Sequence, residues 1–129
     1  MTSYPTTGDI LALAGAVLPA VELRDGGLLH AAVLRPQTSV FGEDAYPDLW
    51  EKAAALMHSI VLGHPLVDGN KRLGWAAAVA FLEDNGETLD YQDVDEAESL
   101  VIALAKGELD DVPDLARRLR GLGGQLGME

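Results

Sequence analysis

Apolar residues recur along this chain at helical spacing in block after block, and the two-residue alternation of a half-buried strand is scarcely seen. Thr6 and Asp9 stand in a capping-box relation, with Asp in place of the usual Glu, and Ile10, Leu13, Ala14, Val17, Leu18 and Val21 follow on one helical face. Asp25-Gly26-Gly27 breaks this opening helix. A shorter apolar run from Leu28 to Leu34 resumes the pattern and ends at Arg35-Pro36, because proline disfavours helix at the residue before it. Residues 36–46 alternate poorly and mix Pro36, Gly42 and Glu43-Asp44, so a loop or short irregular hairpin, a flap, is expected there.

Pro47 suits a first helical position, and Leu49, Ala53, Leu56, Met57 and Ile60 form a stripe that Trp50, Ala54 and Val61 widen. So broad an apolar face predicts the central, most buried helix. It must stop near Gly63, since Pro65 follows, and Leu73, Ala76, Ala77, Ala80 and Phe81 begin a new periodic run that Asn85-Gly86 closes. Two further helices are read from Val94, Ala97, Val101, Leu104 and Ala105, and from Val112, Leu115, Ala116 and Leu119. A Gly-rich tail over 121–129 should fray. The expected fold class is all-α, a compact helical bundle over residues 1–129 with no internal repeat or linker.

With 129 residues and 48% hydrophobic content, the chain has material for one core, hence one domain. It has no cysteine, which excludes disulfides, thiolate zinc sites and a cysteine nucleophile. A formal net charge of -12, concentrated from Glu83 to Asp114, argues against direct binding of nucleic acid. No uncharged stretch is long enough to span a bilayer and the amino terminus lacks the pattern of a secretory signal, so a cytoplasmic protein without a membrane partner is expected.

One segment does not fit a purely structural account. His64 to Arg72 packs an imidazole, a carboxylate, a glycine, an amide and two cations into nine consecutive positions between two strong helices. A polar connection with an Asp-Gly turn and an Asn cap explains part of this mixture only. If the following helix starts near Asn70, the N–H groups of Gly69, Asn70, Lys71 and Arg72 lack intrahelical acceptors and stand at a positive dipole end. That makes an anion cradle: Gly69 permits close backbone approach, Asn70 can cap the turn, and Lys71 and Arg72 add charge for phosphoryl oxygens. Asp68 beside phosphates suits a bridging Mg²⁺. An imidazole can accept a proton near neutral pH, which makes His64 the candidate general base. Leu66 is expected to turn inward and anchor the loop.

Other polar and aromatic residues invite plainer accounts. His58 and His30 are read as hydrogen-bonded histidines without a ligand role, and Trp50 and Trp75 as packing residues, Trp75 lying near the cradle. Arg117, Arg118 and Arg120 complement the dipole of a helix carboxy terminus.

The loop resembles the Fic motif, H-x-F-x-[D/E]-G-N-[G/K]-R, at every fixed position except Leu66, which stands where the family has Phe. An apolar exchange that repacks usually costs less than about 1.5 kcal/mol. Chain length, the all-α reading, a flap before the central helix and Lys71 after the Asn are similar to the Doc (death-on-curing) toxin branch of the Fic/Doc family. That resemblance implies that His64 deprotonates a target hydroxyl, Asp68 holds Mg²⁺, Gly69 and Asn70 line the anion hole, and Lys71 and Arg72 bind nucleotide phosphates. AMP-transferring members continue R-x-x-R after the motif, whereas Trp75 stands three residues after Arg72 here.

The Doc branch implies a Mg-ATP-dependent protein kinase that moves the γ-phosphate to a threonine of translation elongation factor Tu and halts translation. AMP transfer to a protein hydroxyl is the runner-up, and a catalytically idle nucleotide- or partner-binding domain is the alternative of another class. In the flap, Arg35, Gln37 and Phe41 are candidates for docking an extended stretch of target. Ser39 to Glu43 fits the first five positions of the family's inhibitory pattern [S/T]-x-x-x-E-[G/N] but ends in Asp44, a coincidental match. The resemblance therefore implies inhibition in trans by a Phd-like antitoxin.

Overall fold

The computed structural model describes residues 1–89 and 93–124, which form six α-helices, one 3-10 turn and one small hairpin. In chain order these are α1 (Thr7–Val17), α2 (Gly26–Leu34), the 3-10 turn (Arg35–Gln37), β1 (Ser39–Val40), β2 (Glu43–Asp44), α3 (Leu49–Gly63), α4 (Asn70–Asp84), α5 (Val94–Ala105) and α6 (Val112–Gly124). The expected all-α class and the short flap hairpin are both present.

The broad stripe on α3 makes it the axis of the bundle. Every residue from Ala53 to Met57, with Ile60 and Val61, is excluded from solvent, and α2, α4, α5, α6 and the 3-10 turn all pack on it. The small side chains of Ala53, Ala54 and Ala55 let these neighbours approach from several sides. Helix α4 comes close at Gly74, where an added Cβ would lie 2.6 Å from Val61 Cγ2 and 3.4 Å from the Met57 carbonyl oxygen. On its other side α4 meets α1, and Tyr4 packs on Phe81 with ring centroids 6.1 Å apart.

Five helix N-termini are closed by side chains. Thr6 and Asp9 complete the capping box of α1. Asp25, Asp48 and Asp93 accept from Leu28, Glu51 and Glu96 at the starts of α2, α3 and α5, and Asp111 accepts from Asp114 at the start of α6. A cap of this kind contributes about 1 kcal/mol.

Three boundaries depart from the pattern reading. Helix α1 ends at Val17 with Leu18 as its cap, so the stripe does not reach Val21, which is 39% exposed; Pro19 disfavours helix at Leu18 and cannot donate to the ladder. Helix α3 starts at Leu49 and not at Pro47, because Asp48 takes the cap and leaves the proline outside. Helix α6 continues through Gly121 to Gly124, the first part of the Gly-rich tail, and residues 125–129 lie outside the described residues.

The hairpin turns on Phe41 and Gly42, both with positive φ (52° and 81°), as a two-residue type I′ connection requires. Lys52 on α3 ties it to the core. Although only 2% exposed, its ammonium meets Asp44 Oδ2 at 3.1 Å and donates to the Tyr46 carbonyl, so the buried charge is paired. No described helix is long and apolar enough to cross a membrane.

Candidate functional site

The loop between α3 and α4 is shaped by two abrupt turns. At the first, His64 caps α3 in the left-handed conformation (φ 53°, ψ 56°) and its N–H donates to the Ile60 carbonyl at 3.3 Å. At the second, Gly69 caps α4 with φ 89° and no side-chain hydrogen bond. An added Cβ at Gly69 would lie 2.8 Å from both methyl carbons of Leu18, so the position requires glycine for space as well as for φ.

Between the turns, Leu66 is fully buried and its backbone is stapled by Asn70. Asn70 Oδ1 accepts from the Leu66 N–H and Asn70 Nδ2 donates to the Leu66 carbonyl, each at 2.9 Å. Asn70 is thus the first residue of α4 and not its cap, and its side chain, 7% exposed, faces back into the loop. The staple fixes which end of the amide meets His64: Nδ2 stands 3.4 Å from Nδ1 of the imidazole. At 3.4 Å the contact is too long to fix the tautomer of the imidazole.

Asp68 is exposed, and its Oδ1 accepts from the Gly69 N–H at 2.8 Å, while Oδ2 meets no donor among the described residues. The Gly69 amide therefore already has an acceptor. By contrast, the amides of Asn70, Lys71 and Arg72 meet no acceptor among the described residues, and the side chains of Lys71 and Arg72 are exposed without an ion-pair partner among them. This first turn of α4 combines open N–H groups, a positive dipole end and two free cations next to an exposed imidazole. Mg²⁺ usually takes one or two carboxylates and completes its shell with phosphates and water, so Asp68 alone suits a cation delivered with a nucleotide. No cluster of three or more metal-ligating side chains exists among the described residues to hold an ion unaided.

A strap that the pattern reading did not single out runs along the loop. The N–H groups of Arg24 and Asp25 donate to the Pro65 carbonyl at 2.8 and 3.0 Å, Val67 N–H donates to Glu22 at 2.9 Å, and Leu23 bridges antiparallel to Leu66. Arg24 Nε and Nη2 donate to the carbonyls of His64 (2.5 Å) and Gly63 (2.8 Å). Residues forty positions away in sequence leave no local spacing signal for such a pairing.

The three flap candidates are placed differently from one another. Arg35 turns inward: Nε donates to Tyr46 Oη at 2.9 Å, Nη1 to His58 Nδ1 at 2.8 Å and to Ser59 Oγ at 3.0 Å, and the guanidinium lies 5.5 Å from the centroid of the Tyr46 ring. Gln37 is exposed, and Phe41 projects fully into solvent at the tip of the turn. An open cleft of about 700 Å³ runs between α2, the 3-10 turn and α3, and reaches Gly63, the neighbour of His64.

His58 is half-buried and held as the neutral tautomer, with Nε2–H donating to the Asp110 carbonyl at 3.0 Å while Nδ1 accepts from Arg35. Burial, and then the adjacent guanidinium, hold its pKa below the ordinary 6.5. His30 Nδ1 meets Thr7 Oγ1 at 3.2 Å. Trp50 is buried and Trp75 packs partly buried against the core. Arg117 and Arg118 pair with Asp114, while the Arg120 guanidinium lies 5.9 Å from the centroid of the Trp50 ring.

Comparison with known proteins bears on this loop directly. Residues 4–82 match the model of the Fic/DOC family, more than half of the chain. This protein belongs to the Fic/DOC family. It is also similar to the Toxin Doc of Mycolicibacterium smegmatis, with 50% identity over 125 residues covering 94% of each chain. The span matched by the Fic/DOC model takes in α1, the strap, the flap, α3, the loop and nearly all of α4, and the likeness to the toxin extends over most of the chain.

Proposed function

We propose that this Fic/DOC protein is the toxin of a toxin–antitoxin pair and a Mg-ATP-dependent kinase, moving the γ-phosphoryl group of ATP to a threonine hydroxyl of elongation factor Tu. The observation that carries the transferase reading is the open first turn of α4 beside the exposed His64. Membership of the Fic/DOC family and the likeness to a protein named Toxin Doc support the toxin reading.

In this reading the amides of Asn70, Lys71 and Arg72, with the two cationic side chains, hold the nucleotide phosphates and spread the charge that develops on the transferred group. Asp68 would hold Mg²⁺ through its carboxylate, and the ion would supply positive charge to offset that of the phosphates. His64 takes the proton of the threonine hydroxyl as the hydroxyl oxygen bonds to the γ-phosphorus; the bond from that phosphorus to the bridging oxygen breaks, and ADP leaves. Gly69 permits the turn, and the side-chain amide of Asn70 keeps Leu66 seated. Gln37 and Phe41 are placed to meet a target chain, with Arg35 steadying the flap from behind.

AMP transfer is the second reading. Trp75 stands where AMP-transferring members carry a second arginine, which favours transfer from the γ position. Inhibition in trans by a Phd-like antitoxin accords with the fate of Ser39 to Glu43, which lies in the hairpin and its turn and forms no helix. The test is to incubate the purified protein with elongation factor Tu, Mg²⁺ and ATP labelled at the γ or the α position, alongside His64→Ala. Label arriving from γ alone, and lost in the variant, supports kinase action; label from α assigns AMP transfer; no transfer from either leaves an idle nucleotide- or partner-binding domain.

A further inference from the structure

We propose that Arg24 is a positioning residue for His64, holding the carboxy-terminal end of α3 so that the imidazole is presented to the cradle; this rests on the reading of His64 as general base.

A non-glycine residue at φ 53° is uncommon and persists where its surroundings over-determine it. Two side chains supply that constraint. Asn70 grips the loop at Leu66, from the side of α4. On the opposite flank, the Arg24 fork donates to two consecutive carbonyls, those of Gly63 and His64, which are among the orphan acceptors at the end of α3. Its charge also sits at the negative end of the α3 dipole.

The strap keeps Arg24 from drifting. Its own N–H and that of Asp25 are bound to Pro65, Glu22 is bound to Val67, and Asp25 is fixed as the cap of α2. The residue therefore joins α2 to the two carbonyls that set the direction of the His64 backbone. A planar guanidinium reaches both carbonyls at once, whereas an ammonium on a flexible stem does not hold two acceptors in one geometry. Since Arg24 is exposed, nothing in the core depends on its bulk.

The experiment compares full-length wild type with Arg24→Lys, Arg24→Ala and His64→Ala. Steady-state transfer from ATP to elongation factor Tu is measured with and without added methylguanidinium, together with thermal melting and the NMR signals of the His64 backbone amide and imidazole. Misplacing a catalytic group by about 1 Å costs on the order of 10²-fold. The expected result is therefore a kcat lowered about that much in Arg24→Ala and less in Arg24→Lys, with the KM for ATP and the melting temperature unchanged. Methylguanidinium should restore part of kcat in Arg24→Ala and do nothing for His64→Ala, and the His64 signals should shift in Arg24→Ala.

Wild-type kcat in Arg24→Ala, or a loss matched by a lower melting temperature and not rescued, overturns the proposal. If wild type itself transfers nothing, or His64→Ala is fully active, the functional reading fails instead. The NMR arm still decides Arg24 in that case, because unshifted His64 signals in Arg24→Ala remove the positioning role whatever the reaction is.

Discussion

Helix starts in this protein fall into two kinds. Those of α1, α2, α3, α5 and α6 are closed by Thr6, Asp25, Asp48, Asp93 and Asp111, and several add a further acid in the first turn. The start of α4 has glycine as its cap, no side-chain acceptor, and Lys71 and Arg72 where α1, α3, α5 and α6 carry acids. By the rules that govern the five, the sixth is built against stability: it forgoes a side-chain cap, at a cost of a few tenths of a kcal/mol, and sets cations at the positive end of a dipole, at a cost of up to about 1 kcal/mol each. A polyanion bound there, as proposed for the nucleotide phosphates, would offset both penalties, so the same physics that makes five termini structural would make one receptive.

If the open terminus serves chemistry and not merely binding, the largest effect comes from the base beside it. His64→Ala should lower transfer about 10²- to 10⁴-fold while ATP still raises the melting temperature, as kinetics and thermal shift will show. The cradle itself comes next. Lys71→Ala with Arg72→Ala removes charge-assisted bonds worth about 1.5–3 kcal/mol each, so calorimetry should find ATP bound at least about tenfold more weakly with the apo melting temperature unchanged or raised. An unaltered affinity would remove the contrast between α4 and the rest.

A closed terminus should respond the other way round. Asp48→Ala is expected to cost about 1 kcal/mol, a fall of roughly 3–5 °C in melting temperature, and to leave the ATP-induced rise as it is in wild type.

The smallest effect is a control on α3 itself. Burial and Arg35 hold the folded-state pKa of His58 below the ordinary 6.5, so on acidification the unfolded chain takes up this proton first. The contribution of His58 is full above about pH 6.5 and is lost as pH falls toward the lower folded-state value. Melting curves between pH 7 and pH 5 should therefore decline more steeply for wild type than for His58→Gln, and the ATP-induced rise should show no difference between the two proteins.

The order of helices was readable from spacing because each packs one face on a neighbour, α2, α4, α5 and α6 on α3 and α1 on α4 and α2, and periodicity records a face. The start of α4 was readable for another reason: Pro65, Asp68-Gly69 and the two cations are local, and a turn written in adjacent residues needs no tertiary knowledge. What escaped was whatever depends on a distant partner. Arg24 looks like any surface cation until residues 22–25 are laid along 63–67, and Lys52 reads as the polar edge of α3 until Asp44 and Tyr46 close over it. Arg35 shows the limit most plainly, since a charged residue beside a flap suggests reach outward, yet three partners draw it inward. Asn70, quoted for its place in the motif, turned out to spend its amide on Leu66.

Gly74 lies one turn beyond the cradle, where α4 comes close to α3, and the two helices carry the two ends of the loop. The spacing between His64 and the first turn of α4 is thus gauged by a single hydrogen atom in the place of a methyl group. Alanine there would act as a shim, prising the two ends of the loop apart without altering any side chain on it, so residue 74 offers a mechanical adjustment of the proposed transfer at a point that no substrate need touch.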